Sequence, residues 1–449
     1  MTNKRWLPGW SLNMAPVVLV LIGIMLRLAW LARIRPFTTT QSEAVNAALT
    51  FARTGRLADA LGQGEGLTAH LSPVTPVLGG LVYQAFGAQS LTANWLLSLM
   101  ALGFSIGSAL FLYRSFGLMG ASRNSRLLGL GLYCLLPLSP FIELMEFRHW
   151  EGGLAVFLAT ALLTLIVTAD TRDTASWRDR FAVALLAALL FFVSPPLGVA
   201  GYAMATILLW RKLDWRSFPA TIALAACVLA AVLTPWTIRN YEAFGKFVPL
   251  RGNAGMELAL ANHPDAVSGR YQHQVFLGRL FTIHPNGNPP VFARMQAMGG
   301  EIPYSAMLGA QAKDWIAAHP AQFVRLSVRH VIQFYFPPTW LWRVYGDYSH
   351  GTVFKQSLMW LTAALGLCGA FGAALVWRGR FTYAAVLALV PALPYSIVQP
   401  ILRYHYLVFA ILLFLTAEFV TRVAARIGSR GRTSGGTVAA GEGQPSTAR

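Results

Sequence analysis

Apolar residues gather into runs close to the length of a bilayer crossing, about 20 residues. These runs lie at 13–32, 90–113, 127–142, 150–169, 180–194, 197–210, 217–238, 353–377, 381–398 and 401–421. The pattern predicts an all-α integral membrane protein with about ten transmembrane helices, the third, fifth and sixth being short or interrupted by proline. Basic residues cluster in alternate connections, at Arg114/Arg123/Arg126, Arg172/Arg178/Arg180, Arg211/Lys212/Arg216, Arg378/Arg380 and from Arg422 to Arg432. Positively charged loops stay on the cytoplasmic side, so both termini are expected there. The stretches 33–89, 143–149, Ser194-Pro195-Pro196, 239–352 and the turn at Gln399-Pro400 then face outward.

Two of the outward stretches are long. In the first, residues 41–54 read as a short amphipathic helix stopped by Gly55. Glu43 stands in its first turn, where two readings are open. It is either a carboxylate held beside a lipid-linked substrate or the closing member of a capping box from Thr40, reaching back to a backbone N–H. The second, 239–352, exceeds the length of a simple connector and must carry structure of its own, expected to be small and mostly helical. Within it, 320–335 places Gln322, Arg325, Arg329 and Gln333 on one helical face, as in a helix lying at the membrane interface or one packed on its own domain. The domain division is therefore 1–238 as an N-terminal bundle containing the 33–89 loop, 239–352 as a periplasmic region, 353–423 as C-terminal helices, and 424–449 as a Gly/Ser/Thr-rich disordered tail.

Composition narrows the function. Apolar residues make up 55% of the chain and charged ones 12%, a membrane-protein balance. The net charge of +18 is dispersed between spans rather than gathered in one patch, which argues against a nucleic-acid partner. Cys134, Cys227 and Cys368 all fall inside apolar runs, so neither disulfides nor a cysteine metal site is expected. The first run follows Lys4 and Arg5 with no small-residue cleavage site and reads as a retained anchor. No dinucleotide or phosphate loop, no His-Glu-x-x-His and no outer Asp-x-Asp is present, so neither cofactor nor metal is predicted.

Ionisable groups at the ends of membrane spans are costly and point to function. Four outer clusters carry them: Glu43 with His70; Glu143, Glu146, Arg148, His149 and Glu151; Arg239-Asn240 with Arg251 and Asn253; and Arg403-Tyr404-His405-Tyr406. Carboxylates and guanidinium groups on one membrane face suit transfer from a phospholipid-linked donor, in which a base takes a hydroxyl proton and cations hold the departing phosphate. Each has a plainer reading: a loop histidine at His70, interfacial anchors at Arg239 and Arg403, a solvated pair at Glu146 and Arg148, and an aromatic belt around Trp340 and Trp342.

In chain order, several stretches together resemble the GT-C type membrane glycosyltransferases, the superfamily of dolichyl-phosphate-mannose protein mannosyltransferases and lipid A aminoarabinose transferases, and within it bacterial relatives of unassigned substrate. They are Ser42-Glu43, Thr68 to Pro76, Trp150-Glu151, Pro235 to Tyr241, Phe247 to Asn253, Glu257 to Asn262, Glu301 with Tyr304, Trp315 to Pro320, and Arg403-Tyr404. The resemblance implies a helical bundle in the bacterial inner membrane, a polyprenyl-phosphate sugar donor, an envelope glycan, lipid or protein acceptor, and inversion at the anomeric carbon. It implies Glu43 as base, Glu151 as a second acid lining the pocket, and Arg239, Arg251 and Arg403 on phosphate. His70, Asn240, Asn253, Glu301, Tyr304 and His405 complete the expected substrate-binding set. Many relatives carry Asp where Ser42 stands and Arg where His405 stands. Two rival readings are a transporter or flippase of lipid-linked glycan, which requires charge at mid-membrane depth, and a non-catalytic relative that binds the donor.

Overall fold

The computed structural model describes residues 14–34, 42–345 and 351–435, the side chains of 430–435 excepted. Nineteen α-helices follow one another in these residues. The first half comprises α1 (Ala15–Ile34), α2 (Glu43–Thr54), α3 (Val74–Phe86), α4 (Leu91–Leu118), α5 (Arg123–Leu135), α6 (Gly152–Asp170), α7 (Trp177–Val193), α8 (Pro195–Lys212) and α9 (Phe218–Phe244). A helical cap comes next: α10 (Ala254–Ala261), α11 (Gln272–Ile283), α12 (Pro289–Ala297), α13 (Glu301–Ala318), α14 (Pro320–Tyr335) and α15 (Thr339–Val344). The chain closes with α16 (Thr352–Phe371), α17 (Phe381–Leu389), α18 (Ala392–Tyr395) and α19 (Leu402–Gly435). Apart from one isolated bridge between Ala58 and Leu67 there is no β-structure among the described residues.

The protein is an all-α membrane protein. Every predicted apolar run contains helix, and six helices (α1, α4, α6, α9, α16 and α19, some with a flanking turn) are long and apolar enough to cross a membrane. α5 is too short: 13 residues at 1.5 Å each reach about 20 Å, against a hydrocarbon core of about 30 Å. After α5 the chain runs through Leu136–Pro140 into a π-helical turn, Ile142–Glu146. The buried Arg27 of α1 closes this break. It donates to the carbonyls of Tyr133 and Cys134 (both 3.1 Å) at the end of α5, and to Glu143 of the π-turn at 2.7 Å. Carbonyls at a helix end must find partners in a medium without water, and Glu143 neutralises the cation that supplies them. Glu143 is thus a structural anchor inside the bundle rather than a member of the outer cluster.

Four further expectations change. Val74–Phe86 is helical and apolar; Pro76 and Gly79-Gly80 dilute its hydropathy and hide it in the sequence. α19 continues to Gly435 although a disordered tail was expected from residue 424, because no proline intervenes and Arg422 pairs with Glu418 one turn earlier at 2.6 Å. Residues 436–449 lie outside the described residues. In α14, Arg329 turns inward to the Ala266 and Ser268 carbonyls, Gln333 is buried, and Val324, Val328 and Ile332 form the exposed row. Trp342, expected in an aromatic belt, is buried.

Candidate active site

The polar groups converge where α2, α10, the start of α19 and the π-turn meet. α2 begins at Ser42, whose hydroxyl accepts from Val45 N at 3.4 Å, and ends at Gly55, left-handed at φ 70°. Ser42 is therefore the cap itself and Glu43 the first helical residue. That removes Glu43 from the capping-box position (Thr40 lies outside the described residues) and frees its carboxylate to face a cavity of about 450 Å³. The volume lies within the ordinary range for small-molecule sites.

Five of the expected site residues line this cavity: Glu43, His70, Arg251, Asn253 and Arg403. Sequence reasoning missed four others. Glu257 was part of a quoted stretch but had no role. His284 went unnoticed, Glu146 was read as a solvated loop acid, and Tyr345 was not singled out; all line the same space, with Trp150 and Tyr404 on one wall and Phe141, Leu280 and Ile401 supplying apolar surface.

The charges are arranged in pairs. Arg403 lies 3.3 Å from Glu146 and its guanidinium sits 4.9 Å from the Trp150 ring centre. Arg251 pairs with Glu151 and donates to Val193 O at 3.3 Å. Glu151 accordingly stands behind Arg251 instead of lining the pocket, at the N-cap of α6. Arg148 is buried, and His149 meets the Tyr83 hydroxyl at 2.6 Å, so neither belongs to a solvated loop.

Glu43 lies 3.4 Å from His284 Nε2, and the His70 and His284 rings meet edge-on with centres 5.9 Å apart. Burial pushes the Glu43 pKa up, but His284 beside it, together with a backbone N–H and Arg403, outweighs burial and holds the group below its ordinary value, as a carboxylate. Burial lowers His70 to about 4, leaving it neutral. Glu257 is displaced the other way, upward, because burial outweighs His284, Arg403 and Arg251. Two carboxyl groups in one cavity whose environments drive them apart are the usual arrangement of a base and a proton-bearing donor. Gly255 helps to seat Glu257: a methyl there would collide with Ser305 O of α13, so only glycine lets α10 lie this close.

The remaining expected residues stand outside the cavity lining and hold its parts in place. Arg239, expected on phosphate, donates to the carbonyls of Thr68 and Leu57 (both 2.7 Å), and Glu301 accepts from Thr68 Oγ1 at 2.8 Å and Ala69 N at 2.5 Å. Together they fix the loop that ends in His70. Tyr304 donates to Ile283 O at 2.9 Å, next to His284. Asn240 holds Val248 O at 2.8 Å, and His405 is buried behind the site with Nδ1 2.9 Å from Phe334 O.

Glu301 has a neighbour of its own kind. Glu65 accepts from Leu61 N at 2.7 Å, while its other oxygen is buried without a partner. Burial and the Glu301 carboxylate push Glu65 up to about 9, favouring its protonated form. A carboxyl whose folded pKa is raised stabilises fully below its unfolded value, and that contribution is lost as pH rises through the folded value. Stability is therefore expected to decline from about pH 5 to pH 9. Glu65→Gln, whose amide can donate in place of the proton, should flatten the profile and raise stability at pH 8 by on the order of 1–2 kcal/mol. Thermal melts of both proteins across that range check it; parallel profiles would show that Glu65 holds no such proton.

The sequence contains no metal motif, but the fold brings three ligand atoms together. Glu43, His70 and His284 each offer one, all within 4.8 Å of each other. A carboxylate with two imidazoles, one of them neutral, is a donor set suited to zinc or a similar cation.

No family model matches the chain, and no curated protein matches it. Solved structures do. The archaeal oligosaccharyltransferase AglB from Archaeoglobus fulgidus, in complex with an inhibitory peptide and a dolichol-phosphate, is 14% identical with a TM-score of 0.50, covering 96% of this chain and 52% of that one. The apo Archaeoglobus fulgidus oligosaccharyltransferase gives 14% identity and a TM-score of 0.52 over 99% and 54% of the two chains. A complex of the same enzyme with zinc and sulfate gives 13%, 0.50, 93% and 50%. The chain spans about half the length of the oligosaccharyltransferase it matches. At this identity the likeness speaks for architecture alone: the helical fold of this chain is similar to that of the archaeal oligosaccharyltransferase.

Proposed function

We propose that the protein is a glycosyltransferase that moves a sugar from a polyprenyl-phosphate donor to a cell-envelope acceptor (glycan, lipid or protein) at the outer face of the bacterial inner membrane, with both termini in the cytoplasm. The observation that carries this reading is the single cavity in which the Glu43 carboxylate, the Arg251 and Arg403 guanidinium groups and the Trp150 and Tyr404 rings face one another between apolar walls. The dolichol-phosphate in the archaeal complex supports a lipid phosphate as the donor class.

In this reading the acceptor hydroxyl attacks the anomeric carbon as the bond from that carbon to the phosphate oxygen breaks. Glu43 takes the hydroxyl proton, and the polyprenyl phosphate leaves with inverted configuration at the sugar. Arg251 and Arg403 receive the charge that develops on phosphate, an electrostatic contribution that a low-dielectric cavity strengthens. Glu257, kept toward its protonated form, donates to a phosphate or sugar oxygen. Trp150 and Tyr404 give the sugar ring a face to lie on. A cation held by Glu43, His70 and His284 would supply further positive charge to the phosphate.

Turnover of purified protein on a panel of polyprenyl-phosphate sugars, with envelope extract as acceptor, tests the proposal. Transfer from at least one donor is expected. Tight donor binding without turnover on any member would favour the non-catalytic alternative, and donor movement across vesicles without bond cleavage would favour a flippase.

A further inference from the structure

A second cavity, of about 330 Å³, lies between α7, α8 and α9. It occupies the end of the bundle opposite the candidate active site. α8 starts at Pro195, two residues beyond the Val193 carbonyl held by Arg251, and the cleft is lined by its other half, from Tyr202 to Leu213. α9 packs along α7 rather than α8, and Ala184, Ala205, Ala225 and Ala226 leave the space between them unfilled. Trp177, Trp210 and Trp215 are strongly exposed around this end and mark the level of the membrane interface.

The mouth of the cleft is cationic. Arg180 lines it, steadied by Ala175 O at 3.2 Å and Thr221 Oγ1 at 3.4 Å. Of the acids nearby among the described residues, Asp179 is engaged by Arg172 at 2.6 Å and Asp170 by Arg211 at 3.2 Å and Arg380 at 3.1 Å, while Asp173 and Asp214 stand exposed in the flanking turns. Arg178, Arg180 and Arg216 form no ion pair within these residues. Deeper in the cleft, the Tyr202 hydroxyl is buried without a partner.

We propose that this cleft holds one anionic phospholipid. Its phosphate sits on Arg180 and the Thr221 hydroxyl, with Arg178 and Arg216 adding positive potential. One acyl chain fills the alanine-lined space, and a glycerol ester carbonyl accepts from Tyr202. A basic mouth over an apolar gap between spans on one leaflet selects for such a headgroup, and a zwitterionic lipid gains the apolar contact without the charge.

The test uses the full chain reconstituted in nanodiscs of equal dioleoylphosphatidylglycerol and dioleoylphosphatidylcholine, released into detergent and weighed by native mass spectrometry. The wild type is expected to keep one phosphatidylglycerol. Arg180→Gln should lower its preference over phosphatidylcholine about fivefold, as one interfacial arginine is worth about one factor of that size. Ala226→Trp on α9 and Thr206→Phe on α8 fill the cleft from opposite sides, and each should release the lipid while transferase turnover and melting stay unchanged. Equal retention of the two lipids by the wild type, or full retention of phosphatidylglycerol by both filled variants, overturns the proposal.

Discussion

Glu43→Gln is expected to lower turnover by about 10²–10⁴-fold, the contribution of a positioned general base, with donor affinity nearly unchanged. The substitution keeps the size of the side chain and its place at the first position of α2, where Ser42 supplies the cap. It removes only the charge that His284 chiefly stabilises. Because His284 approaches at 3.4 Å, the amide can still hydrogen-bond to the imidazole, so folding should be preserved. Single-turnover kinetics with saturating donor separate the outcomes. A variant that binds donor and transfers sugar at the wild-type rate removes Glu43 from the chemistry and leaves His70 to take the proton.

The second large effect belongs to Arg403. Arg403→Ala should reduce turnover by about 10²–10³-fold, as loss of one charge-stabilising donor does, and should also raise the donor KM. The two effects have different sources. The guanidinium no longer meets the departing phosphate, and Glu146, 3.3 Å away in the intact protein, is left as an unpaired anion beside it. Arg403→Ala combined with Glu146→Gln is therefore expected to recover much of the KM and little of kcat. Equal, additive losses in both parameters would mean that the pair is only structural. Arg403→Lys is a weaker test of the same point, since a single ammonium lacks the planar fork that spans a phosphate.

What was legible in the sequence follows the range of the forces involved. Hydropathy is summed over about 20 residues, so the apolar runs could be read locally, and each of them contains helix. One exception has a local cause, α3 being diluted by proline and glycine; the other does not, since the stop after α5 shows no sign in sequence that Arg27, more than 100 positions away, satisfies its carbonyls. The site was legible only where a polar residue interrupts an apolar pattern. Glu43, Arg251 and Arg403 stand out in that way and do reach one cavity. His284 stands just past the end of α11 and Glu257 is the lone acid of the eight-residue apolar α10; neither segment reads as a membrane span, so nothing marks these two residues until the cap folds back on α2. Arg239, Glu301 and Tyr304 drew notice for the same reason as the cavity residues. Their contacts to the backbone show that a polar group near a span can equally serve to hold a loop.

The Arg27–Glu143 contact has a consequence for how the chain enters the bilayer. α1 emerges from the ribosome long before residue 143, and an isolated guanidinium near the middle of a lone helix costs about 2.5–3.5 kcal/mol to insert by translocon scales. Apart from Arg27 and the terminal Arg33 the helix is uncharged, which allows lateral release, but the nascent helix must carry the Arg27 charge until the π-turn arrives to accept it. Assembly is thereby ordered in time: the contacts of Arg27 form only after α5 and the π-turn have been synthesised.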